Sequence, residues 1–341
     1  MDQFLSIFFF LLASYSVIAN DSIQTLGTWM SSNRKTPWYY LASFAALGLI
    51  LTVSYSWFAN NGDISYGRLE KIPYIEVHWY HGIAPVVLIL MTRMGIPVST
   101  SFLILATFAS SVVLESMLLK SIIGYGVSAV TAYLFWIAIS KVLDEKKSIR
   151  DNSQTGFIGS LYKTLKRKGI VKKLNYKEFQ KSYWSSLQWV STGFLWWSWL
   201  THDVANISVF LPRQISGLQL ILILVFFTSV IFFIFREGGG KIQGIVLTKT
   251  NTKYVRSATI IDFVYAAILF FFKEVNSIPM STTWVFIGLL TGREMAITTL
   301  SKHRKIKNLF PIIRNDFGKL VLGMTVSVLV ALAVNYIASK Y

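Results

Sequence analysis

The stretch SGLQLILILVFFTSVIFFIF, residues 216–235, runs for twenty residues without a charge. Coiled as an α-helix at ~1.5 Å per residue it spans about 30 Å, the thickness of a bilayer's hydrocarbon layer. Hydrocarbon offers no water to backbone N–H and C=O groups, so a segment of this kind must satisfy them internally, which a helix does. Ten stretches read as membrane segments: 3–31 (interrupted), 38–60, 74–92, 96–118, 121–142, 184–211 (interrupted), 216–235, 256–273, 279–298 and 317–338. Only 14% of the residues are charged and the mean hydropathy is +0.52, whereas a soluble domain carries about 25% charged residues. The expected class is an all-α, multi-pass membrane protein.

The formal charge of +17 raises the question of nucleic acid, but its placement answers in favour of lipid. Loops 143–182, 236–256 and 293–319 hold eleven, five and seven Lys/Arg, while 61–73, 119–121, 212–215 and 273–278 hold two, one, one and one. This alternation follows the positive-inside rule, which puts the basic loops in the cytoplasm and both termini outside, in a plasma or inner membrane. No nucleic-acid partner is expected. Loop 143–182 is the longest polar stretch and includes LYKTLKRKGIVKKL. It reads either as an amphipathic helix on an anionic leaflet or as a solvated linker between halves. The opening MDQFLSIFFFLLASYSVIANDS imitates a signal peptide, yet its first residues carry Asp2 and no Lys or Arg. With no cysteine in the chain, disulfides and thiol chemistry are excluded.

Two polar motifs recur inside apolar segments. GIPVSTSF at 95–102 is matched by SIPMSTTW at 277–284, and ANDSIQTLGT at 19–28 by THDVANISVF at 201–210. Ser99 and Ser281 lie 182 residues apart, as do Asp21 and Asp203, and acid precedes serine by 78 residues in each copy. Motifs in one order at one spacing argue for duplicated halves, 1–142 and 183–341, joined by 143–182. Five segments per half is an odd number, so the second copy is inverted. Inverted-topology repeats with broken or re-entrant helices are the architecture of secondary transporters.

Proline followed by Ser-Thr breaks one helix and caps the next. A helix N-terminus presents unpaired N–H donors and about half a positive charge, so it attracts anions. Two such tips aimed at one midplane point, with Ser99, Thr100, Ser101, Ser281, Thr282 and Thr283 around it, suit a small tetrahedral oxyanion. Asp21 and Asp203 each cost at least ~2.5 kcal/mol within apolar segments, which marks them as partners of a cation or a proton. With Asn20 and Asn206 they supply the hard oxygen ligands that Na⁺ takes; Gln24 and His202 stand beside them as tuning residues.

At these four motifs the sequence resembles the inorganic phosphate transporter (PiT) family, which carries two Asn-Asp motifs and two Pro-x-Ser-Thr motifs in inverted halves. The resemblance implies phosphate between the Ser-Thr tips, sodium at the Asn-Asp motifs as a co-transported ligand, no other cofactor, and a homodimer. The sequence departs from the family at Gln24, where Asn is usual, at His202, and at Phe102 and Trp284, which follow the Ser-Thr runs in place of His. The second span (LASFAALGL) lacks the acid that many members carry. The expected function is therefore a phosphate symporter driven by a sodium gradient. The alternatives are proton coupling, for which His202 beside Asp203 would serve, and sulfate transport by the same fold. No nucleophile–base–orienter set is present, so an enzyme is not expected.

Other residues compete for attention. Glu76 and Asp262 precede the two Ser-Thr motifs in similar turns and, with Glu115, are candidate intramembrane acids. His78 and His81 share a helical face with Trp79 and Tyr80, as either a metal pair or an aromatic interfacial belt. EGGGK at 237–241 lacks the full phosphate-loop frame.

Overall fold

The computed structural model describes residues 2–94, 98–142, 156–171, 174–238, 255–275, 279–300 and 310–340, and among them every regular element is helical. In chain order these are α1 (Asp2–Ser32), α2 (Trp38–Ala59), α3 (Ile83–Met94), α4 (Ser111–Val142), α5 (Gly156–Arg167), α6 (Tyr176–Asp203), α7 (Ala205–Ser208), α8 (Gly217–Arg236), α9 (Val255–Val275), α10 (Thr282–Leu300) and α11 (Phe310–Ala338). Five described stretches, in α1, α2, α4, α8 and α11, are long and apolar enough to cross a membrane. Their outward faces are greasy rather than polar: Leu47, Leu51, Leu218, Ile221 and Val225 are all exposed. Lipid-facing leucines cost nothing in hydrocarbon, so the chain is an integral membrane protein.

Three expectations about the segments need correction. The ANDSIQTLGT stretch does not interrupt its helix: α1 runs unbroken for 31 residues, and its Ser14, Ser16 and Ser22 hydroxyls return to the carbonyls of Phe10, Leu12 and Ile18 one turn earlier. In the second half the break is real, with α6 ending at Asp203 and the four-residue α7 following. Segment 74–92 starts as extended chain, passes through a 3₁₀ turn at Trp79–Gly82, and becomes helical only in the 12-residue α3. At ~1.5 Å per residue α3 covers about 18 Å, too short to cross. Segments 96–118 and 121–142 are not two helices. The first Ser-Thr motif leads into a five-residue π-helical turn at Ser101–Leu105, and α4 then carries the chain through the assumed boundary.

The elements pack in reciprocal pairs. α4 lies along α10, and α11 covers the π turn; α2 contacts α6 while α8 contacts α1; α1 packs on α3 as α6 packs on α9. The α4–α10 contact is the closest. A Cβ at Gly292 would stand 1.9 Å from the Ala129 carbonyl oxygen, and one at Gly288 would stand 2.2 Å from Ser128 Oγ and 2.4 Å from Tyr125 O. Only residues with no side chain let two membrane helices approach so nearly, and that approach supplies dispersion contacts that hydrocarbon cannot.

In the basic stretch, α5 packs part of its apolar face on the protein. Ile158 and Tyr162 are buried against Tyr176 and Phe179 of α6, and the Tyr162 hydroxyl donates to Leu174 O at 3.0 Å. Lys163, Lys166, Arg167 and Lys168 line its exposed side. Residues 143–155, 239–254 and 301–309 lie outside the described residues, as does most of EGGGK. At the opposite polar side, 60–73 and 211–216 are pinned together by Ile215 N donating to Gly62 O (3.0 Å), Arg213 Nη2 to Ile72 O (2.9 Å) and Trp57 Nε1 to Ile215 O (2.8 Å).

Candidate functional site

The two Ser-Thr motifs meet in the protein's interior. Ser99 Oγ accepts from Phe102 N at 3.3 Å, and Ser281 Oγ accepts from Trp284 N at 3.2 Å, so each serine caps the turn it opens. The tips also exchange hydrogen bonds. Ser101 Oγ donates to Met280 O at 3.2 Å, and Thr283 Oγ1 donates to Val98 O at 3.3 Å. Donor and acceptor in one bond are each 182 residues from their counterparts in the other, so the contact has the self-complementary form of an isologous interface. Pro97 lies outside the described residues; Pro279 is buried. All six hydroxyl residues are buried. Ser281 N is already engaged by Ser121 Oγ at 2.8 Å, an interaction nothing in the motif announces.

Both aspartates arrive at this contact. Asp21 Oδ2 accepts from Thr100 Oγ1 at 2.6 Å, and Oδ1 accepts from Asn20 Nδ2 at 2.6 Å. Asn20 also reaches Val98 O at 3.2 Å. Asn206 Nδ2 donates to both Thr100 Oγ1 and Asp203 Oδ1, each at 2.8 Å, and Ser101 Oγ reaches Asp203 Oδ1 at 3.2 Å. A continuous network thus links α1, the first tip and the broken α6–α7 helix. Its two ends differ. Asp21 has both oxygens occupied, whereas Asp203 Oδ2 and Asn206 Oδ1 are buried and make no hydrogen bond of good geometry, the Thr282 side chain standing by the Asp203 carboxylate as a further donor. The two bare oxygens belong to side chains that flank the helix break, Asp203 on α6 and Asn206 on α7, and that touch through Asn206 Nδ2 and Asp203 Oδ1. An orphaned buried carboxylate oxygen is costly unless a cation or a proton meets it.

The remaining candidates separate. His202 is buried beside Arg68, whose Nη2 lies 3.0 Å from Nδ1, while Nε2 lies 2.8 Å from Leu269 O. The carbonyl can only accept, so Nε2 carries a proton in this contact, while the guanidinium lies against both ring nitrogens, with Nη2 3.3 Å from Nε2 as well. Asp262 is fully buried but lies apart from this network: Thr28 Oγ1 donates to Oδ1 at 2.6 Å and Thr192 Oγ1 to Oδ2 at 2.7 Å, tying α9 to α1 and α6. Glu76 does not share its environment. It is exposed on the extended segment before α3, and Glu115 is exposed on α4. The Gln24 side chain lies outside the described residues. His81 is buried and stacked on Phe108 at 4.4 Å, with Nδ1 accepting from His78 N at 3.0 Å, while His78 itself is exposed. Among the described residues no group of three His, Cys, Asp or Glu side chains forms a metal cluster. Arg68 and Ser121 were missed in the sequence. Arg68 left one signal, as a rare cation in a loop of the basic-poor side.

The chain has the fold of a solved membrane transporter. A structure described as "The sodium-dependent phosphate transporter" superposes with a TM-score of 0.63, covering 99% of this chain and 98% of that one at 17% sequence identity. No family model and no curated protein matches the sequence. The superposition takes in both halves, so the fold around the tips and the aspartates is shared along its length.

Proposed function

We propose that this chain is a secondary transporter that moves inorganic phosphate together with Na⁺, its two halves forming inverted repeats that alternate access to a midplane site. The observation that carries this reading is the buried oxygen pair of Asp203 and Asn206 beside two meeting Ser-Thr tips. The reciprocal packing of elements and the exchanged tip bonds support the duplication. The solved transporter of the same fold, a sodium-dependent phosphate transporter by its description, supports the substrate pair.

The chemistry follows from the network. Ser99 and Ser281 accept from backbone amides and keep their O–H protons for an anion. Phosphate drawing the Thr100 hydroxyl to itself would release Asp21 Oδ2 and open a second cation position with Asn20. Anion arrival would then prepare cation binding, and by linkage the converse holds. Asp203 and Asn206 hold the first cation; Ser101, Thr282 and Thr283 support the anion from the second tip. With every polar group serving binding, the site reads as that of a carrier rather than an enzyme.

Radiolabelled phosphate uptake into proteoliposomes tests this directly. An inward Na⁺ gradient is expected to drive accumulation that an equal K⁺ gradient does not, and excess sulfate is expected to leave it unchanged. Equal uptake under the two gradients rejects the coupling, and full competition by sulfate rejects the substrate.

A further inference from the structure

We propose that Arg68 is a tethered cation: its guanidinium occupies the C-terminal end of the broken helix α6, where a carrier of this kind would otherwise hold a co-transported ion. The inference rests on the reading above for the identity of the ions, and on the geometry for the place. In transporters built from broken helices, the carbonyls at half-helix C-termini coordinate the cations, because about half a negative charge gathers there. Here α6 ends at Asp203, and the group that meets its last turn belongs to the protein. Arg68 Nε donates to Thr201 O at 3.4 Å and Nη2 lies 3.0 Å from His202 Nδ1, with only 1% of the residue exposed.

The loop is built to deliver that side chain. Asp63 gathers Ser65 N (2.7 Å), Ser65 Oγ (2.8 Å) and Gly67 N (3.0 Å) around its carboxylate. Gly62 (φ 97°) and Gly67 (φ 70°) take left-handed conformations that bring the chain back towards α6. Pinning by Arg213 and Ile215 holds the loop there. A guanidinium stays charged under all physiological conditions, so its charge is a constant in the field of Asp203. Asp21 of α1 shares that field, and around Arg68 and His202 stand Lys120 on α4 and Lys273 and Glu274 on α9. A fixed positive charge on Thr201 O and His202, next in the chain to Asp203, lowers the affinity of any mobile cation at Asp203 and Asn206, and a site so furnished takes one free ion fewer per anion.

Na⁺ binding to the purified protein, followed by Na⁺-dependent thermal stabilisation against a K⁺ background, reads this directly. R68Q is expected to bind Na⁺ roughly tenfold more tightly, as removal of a unit charge at short range allows, and with a steeper response. R68K, which keeps the charge, is expected to match the wild type within about twofold. A purely structural role for Arg68 predicts the opposite: weaker Na⁺ binding in R68Q. An unchanged or weakened Na⁺ response in monodisperse R68Q overturns the proposal. If R68Q does not purify as a monodisperse species, R68K decides, because a shifted Na⁺ response with the charge retained overturns it equally. A wild type that neither binds Na⁺ nor uses its gradient would refute sodium coupling, yet a gain of Na⁺ binding in R68Q would still sustain the tethered charge.

Discussion

At the residue scale the two aspartates have distinct tasks despite identical spacing to their serines. Asp21 is closed by Thr100 and Asn20, while Asp203 offers an open oxygen. Asp203→Asn keeps shape and removes charge, so Na⁺ affinity is expected to fall by about 2 kcal/mol or more, roughly thirtyfold. Phosphate accumulation measured under a Na⁺ gradient should drop with it, while expression holds. Asp262→Asn removes charge from a carboxylate outside the network, and its Na⁺ dependence is expected to stay at the wild-type midpoint. A variant of Asp203 with normal Na⁺-driven uptake would defeat the cation role. These positions were legible in the sequence because a charge inside an apolar segment is expensive wherever it falls. The Arg68–His202 contact was not, since 134 residues of chain separate its members and only the folded loop brings them together.

At the scale of elements, hydropathy located the apolar segments but could not say which of them cross. A five-residue turn buried among helices and a full span share one composition, because both are surrounded by apolar atoms. That is why 96–118 looked like a helix, and why α4 proved to start inside that stretch. What fixes α4 is its glycine-lined seam with α10. Gly292→Ala places a methyl 1.9 Å from the Ala129 carbonyl oxygen, a backbone atom that cannot rotate away. Forcing the helices apart is expected to cost about 1–3 kcal/mol, seen as a lower thermal unfolding midpoint in detergent. Gly126→Ala on α4, where nothing stands within 4 Å of the added methyl, is the control. It should gain about 0.5–1 kcal/mol from helix propensity alone. Equal midpoints for the two variants would show that the close approach does not hold this pair together.

For the whole molecule, duplication and charge are two independent statements about orientation. The exchanged bonds between Ser101 and Met280 O and between Thr283 and Val98 O are related by the same 182-residue offset that pairs the sequence motifs. Under the proposed inverted duplication, the polar ends of the two halves should fall on opposite sides in alternation. Loop charge by the positive-inside rule would give the same partition, with the exposed basic face of α5 on one side and the pinned loops 60–73 and 211–216 on the other. The chain's lack of cysteine makes the partition measurable without a prior substitution. Lys71→Cys and Lys168→Cys both replace exposed residues, one in each region. In intact cells an impermeant maleimide is expected to label Lys71→Cys and to spare Lys168→Cys until the membrane is opened. Labelling of both from the same face would contradict the positive-inside assignment, which requires these two residues to be separated by the bilayer.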